Sequence, residues 1–494
     1  MLISDHLKSG IVPASFEAIG DGSKGDFMAA NIGDGKVKSF VVDEFLNTFN
    51  TLDTFDVCCC ALDTDKFLVI YGSYIAGVGY QGWGVVGDTT AGNSITWGTR
   101  EAIPSIVGIA VNFTCCQIDT DKAFVTYIHA YQYYLRALVV EVSGKTISFG
   151  TYAYVNSVNT ALGQDACLID TDKVLLAFKA STSQLCVCTI SGSTVTPGSV
   201  VTLDGFIATT SSLCKLNTDK AMWVLRDQLT TYKAYGSVVE VSGDVPTPAT
   251  PVLFCNYYTW DVGICQLGTD KALVVTRVTG PSFLGVAYVI NVSGTVPTFG
   301  PDRIFRIGAS GITELRCIRI ADDHAMITYS DSSVNTYGVA VILTVDGNEI
   351  TFGAKDIIFT NVSNPLDIRA CLVNTGKVVV AWEQDTSDVD VGLACTISIS
   401  GLEMTLGAFR FVGLAAEDFT DGNSVQVIRS GVVKGIVGNT VINTAYILPQ
   451  TEHLIHACLS HVGFSYDGFI VARDLSLTER MVTDNLVSTV GPTD

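Results

Sequence analysis

The sequence predicts an all-β protein built as a seven-bladed β-propeller, and three observations carry this prediction. Two short motifs recur seven times in step, successive repeats are about fifty residues long, and apolar residues within a repeat recur at every second position. Charged residues make up only 16% of the 494 residues, and glycine is abundant. Such a composition suits strands and tight turns.

The first motif is a polar turn between two apolar stretches, and its copy in the first repeat is CCALDTDKFLVIY. Position six before its anchor residue is cysteine in six repeats, and position four before it is Leu, Ile or Val in all seven. Side chains two apart share one face of a strand, so we expect both positions to point into a core and Asp-Thr-Asp-Lys to form a hairpin turn. The seven anchors are Lys66, Lys122, Lys173, Lys220, Lys271, His324 and Lys377.

The second motif is a Ser-Gly or similar turn followed by a short strand. Its copies are GNSITWG at 92–98, SGKTISFG at 143–150, SGSTVTPG at 191–198, SGDVPTPA at 242–249, SGTVPTFG at 293–300, DGNEITFG at 346–353 and SGLEMTLG at 400–407. With the strands between the motifs, each repeat contains four antiparallel strands, which is one propeller blade. Parallel β-helices use shorter repeats, and helical solenoids need a helical period that is absent. We therefore predict a propeller over residues 48–408.

Net charge limits the partners. The chain carries 49 acidic and 29 basic residues, a net charge of −20. A surface this acidic repels nucleic acid and anionic lipid, and no apolar run approaches the ~20 residues needed to span a bilayer. The amino terminus, MLISDHLKSGIVPASF, lacks the pattern of a secretory signal. We expect no nucleic-acid partner, no membrane insertion and no secretory signal.

The recurring cysteines could be a metal site or redox pairs, or small apolar residues of the inner strands. They are Cys60, Cys116, Cys167, Cys214, Cys265 and Cys371. No zinc-like Cys-x-x-Cys pair occurs, and equivalent positions in neighbouring blades are expected to lie too far apart for a disulfide. We interpret them as free core thiols, which favour folding in a reducing cytoplasm, and predict neither a metal nor a cofactor.

Loops after the second and fourth strands emerge on one face, and several are aromatic. Exposed aromatic rings with Asn, Ser and Thr suit a sugar or a protein partner, although some rings will pack between blades. The candidate binding residues are Tyr71, Tyr74, Tyr80, Trp83, Tyr131, Tyr133, Tyr134, Tyr232, Tyr235, Tyr257, Tyr258 and Trp260.

No arrangement typical of a catalytic site stands out. The second motif is similar to the Asp-box of sialidases, but its central Asp is missing from every copy. The acidic run Glu383, Asp385, Asp388 and Asp390 is interpreted as a solvated loop in preference to a Ca²⁺ site. The cluster of His453, His456 and His461 with Cys458 is a weaker candidate for a transition metal. We therefore predict no catalytic residues and a protein that is not an enzyme.

The two flanks share a pattern. Residues Gly413–Asp418, Asp421–Gly422 and Gly431–Gly435, together with Gly25–Met28 and Asp34–Val37, resemble a β-module of tail-fibre and other structural proteins of tailed phages. The usual Gly-Leu-Thr-Pro-Gly turn is replaced here by GNTVINTAYIL. Because the ends of a closed propeller emerge side by side, we predict that 1–47 and 409–494 pair as one small discontinuous β-domain.

The resemblance implies a phage virion structural protein, made in the host cytoplasm, that contacts other virion proteins and assembles as a homo-oligomer. Its propeller would bind a host-surface glycan or protein through the aromatic loops, with weak sites made strong by copy number. Two alternatives remain open at this stage. One is an architectural capsid or tail decoration protein, and the other is a propeller glycosidase or depolymerase.

Overall fold

The computed structural model describes residues 47–400 with ten gaps, and eight strands outside that range. The gaps are 76–78, 91–93, 105–109, 130–132, 158–160, 280–282, 309–310, 332–336, 360–364 and 385–389. All the regular elements described are strands, and no helix among the described residues is long and apolar enough to cross a bilayer. The chain divides into two compact units, Leu46–Leu402, and Met1–Phe45 with Glu403–Asp494.

The strands are as follows, in chain order. Three precede the larger unit: β1 (Ala14–Glu17), β2 (Phe27–Asn31) and β3 (Val37–Ser39). The larger unit opens with β4 (Asn47–Asn50). Blade 1 contains β5 (Thr54–Asp63), β6 (Lys66–Ile75), β7 (Gly79–Asp88), β8 (Thr96–Trp97) and β9 (Glu101–Ala102). Blade 2 contains β10 (Ala110–Asp119), β11 (Lys122–His129), β12 (Tyr134–Ser143), β13 (Thr146–Phe149) and β14 (Ala153–Asn156).

The next three blades have the same five-piece pattern. Blade 3 contains β15 (Ala161–Asp170), β16 (Lys173–Lys179), β17 (Ser183–Ser191), β18 (Thr194–Pro197) and β19 (Val201–Leu203). Blade 4 contains β20 (Ala208–Asn217), β21 (Lys220–Asp227), β22 (Lys233–Ser242), β23 (Val245–Pro248) and β24 (Val252–Cys255). Blade 5 contains β25 (Tyr258–Gly268), β26 (Lys271–Thr279), β27 (Phe283–Ser293), β28 (Val296–Phe299) and β29 (Arg303–Gly308).

The last two blades differ at their outer edges. Blade 6 contains β30 (Ile312–Ala321), β31 (His324–Asp331), β32 (Tyr337–Asp346) and a single long outer strand, β33 (Glu349–Phe359). Blade 7 contains β34 (Pro365–Asn374), β35 (Lys377–Gln384) and β36 (Val391–Ser400). The smaller unit continues with β37 (Glu403–Leu406), β38 (Phe409–Ala415), β39 (Ser424–Ile428), β40 (Gly431–Val433) and β41 (Ile470–Ala472). Its sheet runs in the order β1-β39-β38-β2-β3, so it contains strands from both ends of the chain.

The prediction of an all-β propeller with seven blades is confirmed. Within each blade the successive main strands pair antiparallel in sequence order, and the short fifth strand of blades 1 to 5 pairs with the third strand. The innermost strands β5, β10, β15, β20, β25, β30 and β34 contact one another in turn. Strand β34 also contacts β5, which closes the ring. Strand β4, which precedes blade 1 in sequence, pairs with β36 on the outer side of blade 7. Backbone hydrogen bonds therefore join the beginning of the propeller to its end.

The core lies between blades. One apolar cluster combines Leu62 and Ile70 of blade 1 with Val125 and Leu138 of blade 2, and the other clusters also draw on adjacent blades. The predicted inner cysteines are free and buried or half-buried, as expected for core residues. Burial of apolar surface contributes about 25 cal/mol per Å². Because the apolar clusters lie between blades, packing against its neighbours stabilises each blade.

The Asp-Thr-Asp-Lys turns are structural, as predicted, and they also join blades. The first Asp accepts a hydrogen bond from the next backbone N–H, at 2.8 Å for Asp119 and Thr120. The second Asp has a left-handed backbone, with φ of 56° at Asp121 and 61° at Asp65, a conformation that Asp tolerates better than most residues. At three blade junctions the carboxylate at this turn position binds the anchor lysine of the preceding blade, at 2.6–2.8 Å: Asp121 with Lys66, Asp323 with Lys271, and Asp65 with Lys377. The sequence did not predict this inter-blade contact.

Replacing Lys377 by methionine is expected to lower the free energy of unfolding by about 1–2 kcal/mol. The Lys377 ammonium lies 2.7 Å from Asp65 and donates to the carbonyl of Thr89, so its loss weakens the junction between blades 7 and 1. The matched control is Lys220→Met, because the ammonium of Lys220 donates at an exposed site to the carbonyl of Gly294. Denaturant unfolding of both variants measures the difference, and equal losses would contradict the prediction.

Candidate functional site

The position ten residues before each anchor lies on an inner strand and has a polar side chain in every blade except blade 3, where it is glycine. In chain order its occupants are Asp56, Asn112, Gly163, Thr210, Asp261, Glu314 and Asp367. Each of these positions lies within or beside an irregularity in the pairing of the inner strand with its neighbour, such as the shift between Phe55 and Cys58 in blade 1. Four non-glycine occupants have a left-handed backbone, with φ of 53° at Asp56, 54° at Asn112, 54° at Glu314 and 51° at Asp367.

Strained backbone of this kind costs about 1–3 kcal/mol per residue and clusters at functional sites. Here the strain recurs at equivalent positions in blades 6, 7, 1 and 2. The bulges turn these polar side chains toward the propeller axis.

The inner strands enclose a cavity of about 550 Å³, called the axial cavity below. It lies in the first half of the inner strands, toward the face from which the loops between second and third strands emerge. Its walls carry five carboxylates and three guanidinium groups, and Trp260 contributes an aromatic surface. These charged residues are Asp56, Asp165, Asp261, Glu314, Asp367, Arg277, Arg316 and Arg369.

Some of the carboxylates also join blades. Asp56 accepts a hydrogen bond of 3.0 Å from the backbone N–H of Asn112 in the next blade. Asp165 accepts one of 2.8 Å from the N–H of Leu213, and Asp261 accepts one of 3.1 Å from the N–H of Leu315. These three carboxylates therefore hold the ring together as well as lining it.

Arg369 connects two other carboxylates across blades 6 and 7. One terminal nitrogen lies 3.7 Å from Glu314, and the other lies 3.6 Å from Asp367. All three side chains are recessed, with about a quarter or less of their surface exposed. Burial raises the pKa of Glu314, and the neighbouring charge of Asp367 adds to this effect. Burial likewise raises the pKa values of Asp56 and Asp367.

Aromatic residues and two arginines form a group beside the cavity, called the aromatic rim below. It consists of Tyr232, Tyr258, Trp260, Arg226 and Arg277. The ring centroids of Tyr258 and Trp260 are 5.2 Å apart, and those of Tyr232 and Tyr258 are 5.0 Å apart. Tyr258 and Trp260 are 37% and 39% exposed. Since Trp260 and Arg277 also line the axial cavity, the rim and the cavity form one continuous surface.

The structure separates the aromatic residues singled out from the sequence. Tyr232, Tyr258 and Trp260 meet in the rim, and Tyr257 beside them is 59% exposed. Tyr74 and Tyr80 form a separate exposed pair, with centroids 5.1 Å apart. Three others pack against neighbours: Trp83 under Arg100, Tyr134 against Tyr154, and Tyr235 against Phe206.

The assignment of Tyr71 as an exposed binding residue is wrong. It is fully buried, with its ring 5.1 Å from that of Phe49, because the side chain points into the core between blades. Tyr133 is 54% exposed on its loop. Tyr131 lies outside the described residues, as do Asp385, Asp388 and the group of His453, His456, His461 and Cys458.

Cysteine thiols of neighbouring blades are in contact at non-equivalent positions of the inner strands. Cys59 of blade 1 contacts Cys371 of blade 7, and this contact together with burial raises the pKa of the Cys371 thiol. Cys265 and Cys317 form a similar contact between blades 5 and 6, where burial is the larger cause of the raised pKa of Cys317. All four side chains remain thiols in the structure.

The axial carboxylates were not among the residues predicted from the sequence, although the sequence contains a signal for them. The position ten before the anchor is acidic in blades 1, 5, 6 and 7, and the position eight before it is Arg316 in blade 6 and Arg369 in blade 7. Because these acidic and basic residues lie at constant distances before the anchor, they are expected at equivalent points on neighbouring inner strands.

Comparison with known proteins identifies the architecture only. No family model matches the sequence, and no curated protein matches it. Among solved structures, the chain is similar to the β-propeller domain of the Trilobed protease from Pyrococcus furiosus, with 12% identity, a TM-score of 0.42, and coverage of 74% of this chain and 98% of that one. A leech intramolecular trans-sialidase shares 10% identity, with a TM-score of 0.42 and coverage of 72% and 70%. A fungal alcohol oxidase shares 12% identity, with a TM-score of 0.47 and coverage of 78% and 92%.

The prediction that the chain is not an enzyme is contradicted by these comparisons. A trans-sialidase and an alcohol oxidase are among the similar structures, so enzymes share this architecture. At 10–12% identity the likeness concerns the fold alone and assigns no activity. Whether the chain has catalytic groups must be argued from its own residues.

Proposed function

We propose that the propeller binds a saccharide in the axial cavity and against the aromatic rim. The observation that carries this proposal is the combination of five carboxylates, three guanidinium groups and Trp260 around one cavity of about 550 Å³. Carboxylates accept hydrogen bonds from sugar hydroxyls, guanidinium groups donate them, and an indole packs against the apolar face of a sugar ring. The volume falls within the range of ligand pockets, roughly 300–1,000 Å³.

The biological setting belongs to the same proposal. The flanking segments resemble a module of phage tail fibres and related structural proteins, which supports a virion protein that contacts a host glycan. On a particle, many copies of a weak site act together. Peptides of this chain should then appear by mass spectrometry in purified particles of the phage that encodes it, and their absence would remove the virion part of the proposal.

Glu314→Gln is expected to weaken saccharide binding by roughly tenfold, as suits the loss of one charge-assisted hydrogen bond. Glutamine preserves the shape of the side chain, and Glu314 lies in the cavity wall. The full chain is screened on a glycan array, and the strongest binder is then titrated against both proteins by calorimetry. The control is Asp119→Asn, which removes one charge from an exposed turn at the other end of an inner strand. If the unaltered protein, Glu314→Gln and Asp119→Asn all bind the saccharide with the same affinity, the saccharide does not contact Glu314.

A second candidate function is glycoside hydrolysis, favoured by the carboxyl groups of raised pKa in the cavity. Glycosidases pair a protonated carboxylic acid with an ionised carboxylate, and here Glu314 and Asp367 flank one guanidinium group. Incubating the array ligand with the full chain and weighing the products by mass spectrometry tests this function. Shortened products from the unaltered protein, but not from Glu314→Gln, would establish hydrolysis, whereas an intact ligand would leave binding alone.

A further inference from the structure

Basic side chains recur at one position of the second strands in three consecutive blades. The position six after the anchor is Lys179 in blade 3, Arg226 in blade 4 and Arg277 in blade 5, whereas it is Glu383 in blade 7. The acidic residues with left-handed backbone, Glu314, Asp367 and Asp56, belong to blades 6, 7 and 1. The basic residues of the second strands and these three acidic residues of the inner strands therefore come from different blades, although Asp165 and Asp261 of blades 3 and 5, and Arg316 and Arg369 of blades 6 and 7, also line the cavity.

Arg226 and Arg277 are placed by neighbouring second strands. Arg226 pairs in register with Thr210, and Arg277 pairs with Asp261, so each guanidinium begins beside the inner-strand position that faces the axis. Both stack on the aromatic rim. The guanidinium carbon of Arg226 lies 4.2 Å from the ring centroid of Tyr232 and 5.6 Å from that of Trp260, and that of Arg277 lies 5.0 Å from Trp260.

Among the residues that the structure describes, neither arginine has a carboxylate within ion-pair distance. The neighbouring carboxylate of Asp261 is instead in contact with Arg316, at 3.2 Å. Arg316 and Arg369 of the same cavity are both paired. Two half-buried cations beside one indole repel each other. Burial lowers the pKa of Arg277, the charges of Asp261 and Glu314 raise it, and the charge of Arg226 lowers it. Two stacked guanidinium groups that have no carboxylate within ion-pair distance among the described residues can donate hydrogen bonds to an anion.

We propose that Arg226 and Arg277 bind the anionic group, carboxylate or sulfate, of an acidic saccharide whose sugar ring packs against Trp260. The hydroxyl groups of the sugar then face the carboxylates of blades 6, 7 and 1. Guanidinium groups are suited to planar anions because they donate paired hydrogen bonds. The inference rests on the proposed saccharide binding and narrows it to ligands that carry a negative charge.

The indole of Trp260 fits this role. Its N–H donates to the hydroxyl of Thr279, at 2.5 Å, which fixes the plane of the ring. The side chain remains 39% exposed, so a sugar can reach it. A fixed aromatic surface beside two cations would bind a ring and its acidic substituent at the same time.

The test compares each acidic saccharide with its own neutral form. The probes are trigalacturonate and its methyl ester, and a sulfated trisaccharide and its desulfated form, together with the acidic members of the array and their carboxyl-reduced counterparts. Affinity is measured on the full chain by calorimetry and by quenching of tryptophan fluorescence. We expect at least one acidic probe to bind roughly tenfold or more tightly than its neutral form, with a preference that weakens as salt concentration rises. The carboxylate and sulfate arms show which anion is held.

Variants assign the preference to the two arginines. Arg277→Gln and Arg226→Gln should each reduce the ratio of acidic to neutral affinity to about twofold, because each removes one charge-assisted contact that only the acidic form makes. Arg303→Gln is the matched control. Arg303 lies on an outer strand of blade 5 and pairs there with Glu349 of blade 6. Thermal unfolding verifies that all three variants are folded.

Two failures are distinguishable. If saccharides bind but every acidic probe binds no better than its neutral form, or if Arg303→Gln reduces the ratio as much as Arg277→Gln, the inference is overturned and saccharide binding stands. If no saccharide binds, acidic or neutral, the proposed function fails and the inference fails with it.

Discussion

Arg369→Met is expected to lower the free energy of unfolding at pH 7 by about 2–4 kcal/mol, because it leaves two recessed carboxylates without their cation. The guanidinium of Arg369 lies within 4 Å of both Glu314 and Asp367, and it provides the charge that offsets their burial. Methionine fills a similar volume, so the effect is mainly electrostatic. Guanidinium chloride unfolding of both proteins measures it.

The loss should depend on pH in a defined direction. The pKa values of Glu314 and Asp367 are already raised in the folded protein by burial, and removal of Arg369 raises them further. A carboxyl group with a raised folded-state pKa contributes its full stability below its unfolded pKa, near 4, and loses that contribution as pH rises through the folded value. The difference between the variant and the unaltered protein should therefore be largest at pH 7 and shrink toward pH 4.

Arg303→Met is the control for this measurement. Arg303 pairs with Glu349 at a site where both side chains are a third or more exposed, so we expect a loss below about 1 kcal/mol with little dependence on pH. A loss for Arg369→Met that stays constant from pH 4 to pH 7 would show that packing, and not charge, is the role of Arg369.

Most of the fold could be predicted from the sequence because the repeats carry their own geometry. Alternation of Cys60 and Leu62 marks the inner strand, the Asp-Thr-Asp-Lys turn marks its end, and seven copies determine the number of blades. The closure could not be predicted in the same way. Strand β4 has no repeat motif of its own, and its pairing with β36 follows only from the ring geometry.

The site was predictable in part. Loop aromatics such as Tyr258 and Trp260 are visible in the sequence, but nothing there distinguishes them from Tyr71, whose ring is buried between blades. In the sequence the axial carboxylates are indistinguishable from residues of solvated turns, because no local sequence pattern predicts a left-handed bulge at Glu314 or Asp367. Their convergence appears only when the seven inner strands surround one axis.

The glycine that follows the aromatic residue of the second motif permits close contact between blades, which gives the second large expected effect. A Cβ added to Gly150 would overlap the carbonyl oxygen of Ser193, in the corresponding turn of the next blade. Gly98 has the same relation to Lys145, and Gly198 has it to Asp244. At these three junctions the glycine of this motif therefore allows the blade edges to approach closely, whereas blade 4 has Ala249 at the same position.

Gly150→Ala is expected to destabilise the protein by about 2–4 kcal/mol, because backbone of one blade must move away from backbone of the next. Gly268→Ala is the matched control: it adds the same methyl group where no atom lies within 4 Å, so its effect should stay within about 0.5 kcal/mol. Denaturant unfolding of the two variants, with thermal unfolding as a second measurement, compares them directly. Similar stabilities for both would mean that the blades tolerate a wider spacing, and the recurrence of this glycine would need a cause other than contact with the next blade.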